Sequence, residues 1–160
     1  MRRRADRPTR DRGAVLVEFA LIAPIFVTLV FGIISYGYML SFRQAISQGA
    51  SEGARAGAVW AASYATTQDA DRIAAATAQV DSALSSYGVT CAGSVLKQGS
   101  TTAGSCSIQT KTACPSDSSR SCAIVTIVHR YRDHPLIPTF PGLGITLPEQ
   151  LTYTAVVEVN

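Results

Sequence analysis

Few residues in this chain could do chemistry, and they fall into two groups. The first is a lone carboxylate, Glu18, near the start of the apolar stretch "RGAVLVEFALIAPIFVTLVFGIISYGYML". Placed beside lipid, a carboxylate is poised to meet a cation where water screens weakly. The second is four cysteines, Cys91, Cys106, Cys114 and Cys122, whose separations of 15, 8 and 8 lack the CxxC pairs of a zinc site. Four cysteines in an oxidising compartment suit two disulfides, with three connectivities to choose from. The stretch "CPSDSSRSC" supplies Pro, Asp and Ser for a turn, which favours Cys114–Cys122 together with Cys91–Cys106. Free or metal-binding thiols are the alternative.

No catalytic set emerges from the remaining side chains. His129 and His134 are divided by "RYRD" and read as satisfied or solvent-facing. No serine sits in a GxSxG elbow, and no glycine-rich phosphate loop occurs. Asp69 and Asp71 suit the start of a helix better than an acid/base pair. Arg130, Arg132 and Asp133 read as a solvated strand end. The sequence therefore points away from an enzyme, and it calls for no cofactor and no metal.

The elements that must position Glu18 begin with a membrane helix. From Phe19 to Phe42 there are 24 residues without a charge. At about 1.5 Å per residue they span roughly 36 Å, enough to cross a hydrocarbon core of about 30 Å. Residues 1–13 hold six arginines against two aspartates, whereas from Ala14 onward eight Lys/Arg face nine Asp/Glu. The positive excess is thus a property of the leader, and the positive-inside rule places it in the cytoplasm with residues 43–160 outside. That topology accounts for the arginines without nucleic acid as a partner; contact with nucleic acid or anionic lipid is the competing reading. A cleaved secretory signal, with a small-residue site such as Ala45-Ile46-Ser47, is a further alternative, although the apolar run is about twice a usual h-region.

Past the membrane the same helix is expected to continue, over residues 14–62 in all, with Pro24 bending it. Ala45, Gly49, Gly53, Gly57 and Ala61 recur every four residues and make one small-residue stripe. Such a seam admits another backbone closely, either a second element of this chain or another subunit. Glu52 and Arg55 form a weak surface pair. A second helix is expected from about Thr67 to Ser86, capped by Thr66 or Thr67, with Ile73, Ala76, Val80, Ala83 and Leu84 on its apolar face and Gly88 ending it. Residues 88–121 read as short strands in loops. "CAIVTIVHRYRD" alternates and is the clearest strand, "PLIPTFPGLGITLPEQ" is an irregular loop, and "LTYTAVVEVN" is a last strand. The fold class is α+β: a long N-terminal transmembrane helix running into an outer domain with a second helix and a small antiparallel sheet. The organisation is a basic cytoplasmic leader (1–13), a transmembrane and extended helix (14–62) and an extracytoplasmic α+β domain (63–160).

An arginine-rich leader, Gly13, then Ala14-Val15-Leu16-Val17-Glu18-Phe19 resembles the processing site of type IV prepilin-like proteins. In those, a peptidase at the cytoplasmic face cuts after the glycine and the glutamate becomes the fifth mature residue. A cut between Gly13 and Ala14 would create an α-amino group with a pKa near 7.7–8.0, a partner for a Glu18 carboxylate. The bland alternative is that Glu18 snorkels to the interface or meets Arg12. More closely, "RGAVLVEFAL", Pro24, "FGIISYGY", "RQAIS" and "EGARAGA" are similar to the N-terminal domain of TadE-like proteins of the tight-adherence (Flp-type) pilus system, over about residues 12–58. The resemblance implies a single-pass minor pseudopilin of the bacterial inner membrane, its C-terminal domain periplasmic or extracellular, that aids pilus biogenesis and surface adherence. It implies membrane lipid, a prepilin peptidase, other Tad pseudopilins and the inner-membrane platform as partners. By position, Gly13 and Ala14 flank the cut, Glu18 is the assembly carboxylate and Phe19 is the aromatic beside it. Ala14 stands where major type IV pilins carry an aromatic residue, which argues against their N-methylation. The competing function is an uncleaved single-pass anchor carrying a periplasmic protein- or ligand-binding domain.

Overall fold

The computed structural model describes residues 10–59, 68–138 and 143–159. Helix α1 is Arg10–Val59 and α2 is Gln68–Leu84, followed by a 3-10 turn at Ser85–Tyr87. Five strands follow: β1 Val89–Ala92, β2 Val95–Gln98, β3 Thr101–Ala113, β4 Ser121–His129 and β5 Leu151–Glu158. They form one antiparallel sheet in sequence order, β1-β2-β3-β4-β5. The fold is α+β, as the sequence implies.

Helix α1 has 50 residues, roughly 75 Å of rise. It begins at Arg10, about one turn ahead of the expected start at Ala14. Nothing from Arg10 to Ala14 forbids helix, since Gly13 alone costs about 1 kcal/mol relative to alanine. The helix also runs unbroken through Pro24. Pro24 has no N–H for the Ala20 carbonyl, and the Thr28 hydroxyl donates to the Pro24 carbonyl at 2.8 Å. Expected residues 60–62 of the helix, Ala61 of the stripe, and the caps Thr66 and Thr67 lie outside the described residues.

The outer half of α1 is the spine of the core. Met39, Phe42, Ile46, Ala50 and Ala54 point inward at helical spacing and meet Val80 and Leu84 of α2, Val125 and Ile127 of β4, and Leu151 and Ala155 of β5. Each large side chain so buried contributes about 1.5–3 kcal/mol. On α2 the buried line is Arg72, Ala76, Val80 and Leu84, whereas Ile73, expected inside, is 40% exposed. Arg72 takes the inner position because its guanidinium donates to the Gly57 and Ala58 carbonyls, at 3.0 and 3.2 Å. It thereby neutralises carbonyls near the negative end of the α1 dipole.

The sheet departs from expectation in one place. Residues expected as short strands in loops include β3, 13 residues long, the central partner of both β2 and β4. Its inward residues, Ala103, Cys106 and Ile108, stand among Gly, Ser, Thr and Gln, and a register shift against β2 beside Ala103 breaks their alternation, so its strand character comes from pairing rather than from an apolar run. Strand β4 is the expected one, with Ala123, Val125, Ile127 and His129 all buried, but it ends at His129. The following Arg130, Arg132 and Asp133 are exposed, as expected of a solvated strand end, but the two arginines also act as tethers. Arg130 donates to the Thr102 carbonyl at 3.2 Å. Arg132 Nε and Nη2 both donate to the Leu147 carbonyl, at 3.2 and 2.9 Å, and so hold the proline-rich connection against the sheet. Within that connection Leu143–Thr146 forms a 3-10 turn, and residues 139–142 lie outside the described residues.

The cysteines form two disulfides, Cys91–Cys106 and Cys114–Cys122. The first joins β1 to β3 in the core, just past the end of β2 where the Cys106 N–H donates to the Ser94 carbonyl, and the second closes the loop between β3 and β4. Asp81 of α2 accepts the Cys91 N–H at 2.6 Å, fastening the edge strand β1 to the helical layer.

The β3–β4 ladder contains two positions of opposite strain. A Cβ on Gly104 would overlap the Val128 carbonyl, whereas Lys111, at the register shift, holds φ 57°. In urea titrations of the oxidised chain, Gly104→Ala should lower stability by about 1–3 kcal/mol. Lys111→Gly should raise it by up to about 1 kcal/mol by relieving the left-handed strain, since the exposed Lys111–Asp69 pair at 3.5 Å is worth little.

Candidate functional site

Residues 13–34 of α1 stand clear of the folded domain. Phe19 is 68% exposed, Ile25 70% and Leu21 70%, on every side of the helix. A soluble protein would hide such a surface. This helix is long and apolar enough to cross a membrane, and none of its most apolar window is covered by the rest of the chain.

Glu18 sits on this bare segment, fully exposed, with Ala14 one turn before it on the same face. Gly13 has no atom near the space a Cβ would occupy. Nothing in the fold touches Gly13, Ala14, Glu18 or Phe19 among the described residues; what positions them is α1 alone. The arrangement offers one carboxylate on an apolar rod. Any cation meeting it in lipid or between packed helices would bind far more strongly than in water. The Gly13–Ala14 bond lies within helical backbone, so a protease that cut there would first unwind the terminal turn, where helices fray and glycine weakens them.

The small-residue stripe lies beyond this bare rod and is occupied by the chain's own second helix. Gly49 faces Ala83 Cβ at 3.1 Å and Val80 Cα at 3.7 Å from a would-be Cβ. Gly53 faces Val80 Cγ2 at 2.8 Å and the Ala76 carbonyl at 3.1 Å. Gly57 faces Thr110, Ala123 and Ala76 at 3.4–3.6 Å, reaching the sheet as well. Ala45 is half-buried beside the core. Glu52 and Arg55 lie outside this seam as an exposed pair, 4.0 Å apart.

Between rod and seam lies a joint built from aromatic rings. Phe42 packs on Tyr87 at 5.0 Å, on His129 at 4.9 Å and on Tyr131 at 6.2 Å between centroids, and Tyr38 meets Tyr87 edge-on at 5.6 Å. His129 is neither satisfied nor solvent-facing, contrary to expectation. It is fully buried, and neither ring nitrogen has a hydrogen-bond partner. Burial, aided by the nearby positive potential of His134 and Arg130, pushes its pKa down to about 4. The imidazole is therefore neutral at ordinary pH and acts as a flat aromatic filler. His129 continues the alternation of Ala123, Val125 and Ile127 on the buried face, and its ring stack on Phe42 shows what it does there.

A bare helix of membrane-crossing length carrying one carboxylate continues as the spine of a disulfide-bonded α+β domain. Residues 13–55 match the family model described as TadE-like protein. The match starts at Gly13, covers Glu18 and the whole bare rod, and ends inside the glycine seam at Arg55. No curated protein and no solved structure matches the chain. Residues 13–55 are thus TadE-like.

Two outcomes test this site. Gly53→Ala should destabilise the domain by about 1–3 kcal/mol in urea, because Val80 and the Ala76 carbonyl cannot both give way. Gly37→Ala, with open space around it, should cost nothing. For His129, the native pKa lies below the unfolded value of about 6.5, so the unfolded chain binds the extra proton. Stability should be full above pH 6.5 and fall by about 3 kcal/mol as pH drops toward 4. His129→Leu should flatten that stretch of the urea-midpoint profile.

Proposed function

We propose that this protein is a minor pseudopilin of a Tad/Flp-type pilus assembly system, a structural subunit rather than an enzyme. The observation that carries the reading is that the TadE-like match, residues 13–55, takes in the whole bare apolar rod that the fold leaves uncovered among the described residues. An apolar rod bearing a single acid is what a subunit needs in order to wait in lipid and then pack among other helices. In this reading α1 crosses the inner membrane with its arginine-rich leader in the cytoplasm and its disulfide-bonded domain outside. A prepilin peptidase removes residues 1–13, and the new Ala14 ammonium pairs with the Glu18 carboxylate of a neighbouring subunit. That pairing favours one axial register over others, because a shifted subunit would leave a charge unpaired in an apolar setting. The protein then joins other Tad subunits and the membrane platform in building a pilus for surface adherence.

One observation favours a second reading. The Gly13–Ala14 bond is helical rather than extended, which suits an anchor that keeps its leader and only displays the outer domain.

N-terminal sequencing of the membrane-extracted protein, from cells with a working prepilin peptidase, separates the two. Mature chains should begin at Ala14, and Gly13→Val should retain the leader. Glu18→Ala should insert and be trimmed normally yet lower pilus output at least tenfold. An intact leader in the unaltered protein, or undiminished pili with Glu18→Ala, would leave the anchor reading standing.

A further inference from the structure

Where α1 leaves the membrane, a groove of about 490 Å³ opens between the helix and strand β5. Its floor and walls include Arg43, Gln44, Gln48 and Tyr153, with Leu40 on the side toward the lipid. The Tyr153 hydroxyl lies within hydrogen-bond reach of Ser47 and Ser51, which lower its pKa. No carboxylate lines the groove, and Arg43 is its one cation. Among the described residues Arg43 enters no ion pair. The groove thus pairs one positive charge and several neutral polar groups with an apolar lining from Leu40, Ile46 and Leu151.

Depth decides what can reach it. A hydrocarbon core of about 30 Å takes up about 20 helical residues. Counted from Phe19, it ends near Tyr38, so the Arg43 backbone stands roughly 7 Å further out, within the headgroup layer. Helical side chains lean toward the N-terminus, so the Arg43 guanidinium reaches back toward the lipid. A guanidinium presents a planar fork of donors that suits phosphate oxygens, and the Gln44 and Gln48 amides and the Tyr153 hydroxyl add neutral donors around it.

We infer that this groove binds the headgroup phosphate of an anionic phospholipid in the leaflet at the exit end of α1. The lipid's acyl chains lie along Leu40 and the bare rod, and its phosphate takes Arg43 as counter-ion. The bound lipid spans the junction between rod and domain and fixes the domain's height and rotation over the membrane. The inference rests on α1 crossing a bilayer, and it holds for either orientation and with or without trimming of the leader.

The test uses the full, untrimmed chain in vesicles containing phosphatidylglycerol with a photoactivatable headgroup, with labelled peptides mapped afterwards. Label should appear on residues 43–51 and 151–153, and Arg43→Gln should reduce it about fivefold, the factor expected of one basic side chain at an anionic surface. Labelling of the arginine-rich residues 1–12, on the other face, should not change and serves as the internal reference. Arg55→Gln, outside the groove, should also leave the groove label unchanged. Equal labelling with Arg43→Gln, or an equal loss with Arg55→Gln, would overturn the site in favour of general surface charge. Displacement of the label by millimolar inorganic phosphate would instead assign the groove to free anions and overturn the lipid. An acyl-chain photoprobe mapped to residues 19–34 reports insertion separately. Insertion without groove label overturns this inference alone, whereas no insertion overturns the membrane-spanning reading with it.

Discussion

The close approach of α1 and α2 at Gly49 and Gly53 is the contact on which the outer domain is built. With hydrogens in place of side chains at these positions, Val80 and the Ala76 carbonyl sit almost against the α1 backbone. That closeness lets a short second helix cover one flank of α1 while β4 and β5 cover the other. The helical glycines cost about 1 kcal/mol each in propensity, a cost offset by dense contact along the seam. Arg72 completes the join by closing carbonyls at Gly57 and Ala58.

The same helix must be soluble in two different media. Up to Ile34 it is apolar on all sides, as suits lipid or a bundle of like helices. From Met39 onward it is apolar on one side only, with Gln44, Gln48 and Glu52 facing water. The change happens within about two turns, and the aromatic joint of Tyr38, Phe42, Tyr87 and His129 occupies it. Rings with an apolar body and a polar tip suit such a boundary. His129 extends the stack by staying uncharged. A TadE-like segment that ends inside the seam, at Arg55, therefore carries both the lipid-facing rod and the first contacts that dock a domain onto it.

Much of this was legible in the sequence because the signals were local and periodic. The uncharged run, the four-residue glycine spacing, the alternation of Ala123, Val125 and Ile127, and the αL stop at Gly88 each follow from one-dimensional patterns. What escaped depended on partners far away in the chain. Strand β3 is rich in Ser, Thr and Gly, which read as loop until β2 and β4 pair with it on both sides. Arg72 and Arg132 look like surface charges until the carbonyls they bind are in place. Ile73 looks like core until Arg72 takes the inner position. Gly13 and Glu18 stand out in the sequence by residue type and spacing alone, whereas the groove beside Arg43 needs β5 folded back against α1, a contact between residues about a hundred positions apart.

The order of the two disulfides has a consequence for how they form. Cys91 bonds Cys106, and Cys114 bonds Cys122, so each bond joins neighbours in the cysteine order. Oxidation that proceeds along the chain closes Cys91 on Cys106 before Cys114 and Cys122 take part, and so reaches the native pattern directly. Such a pairing calls on an oxidant, with no demand for a catalyst that reshuffles bonds.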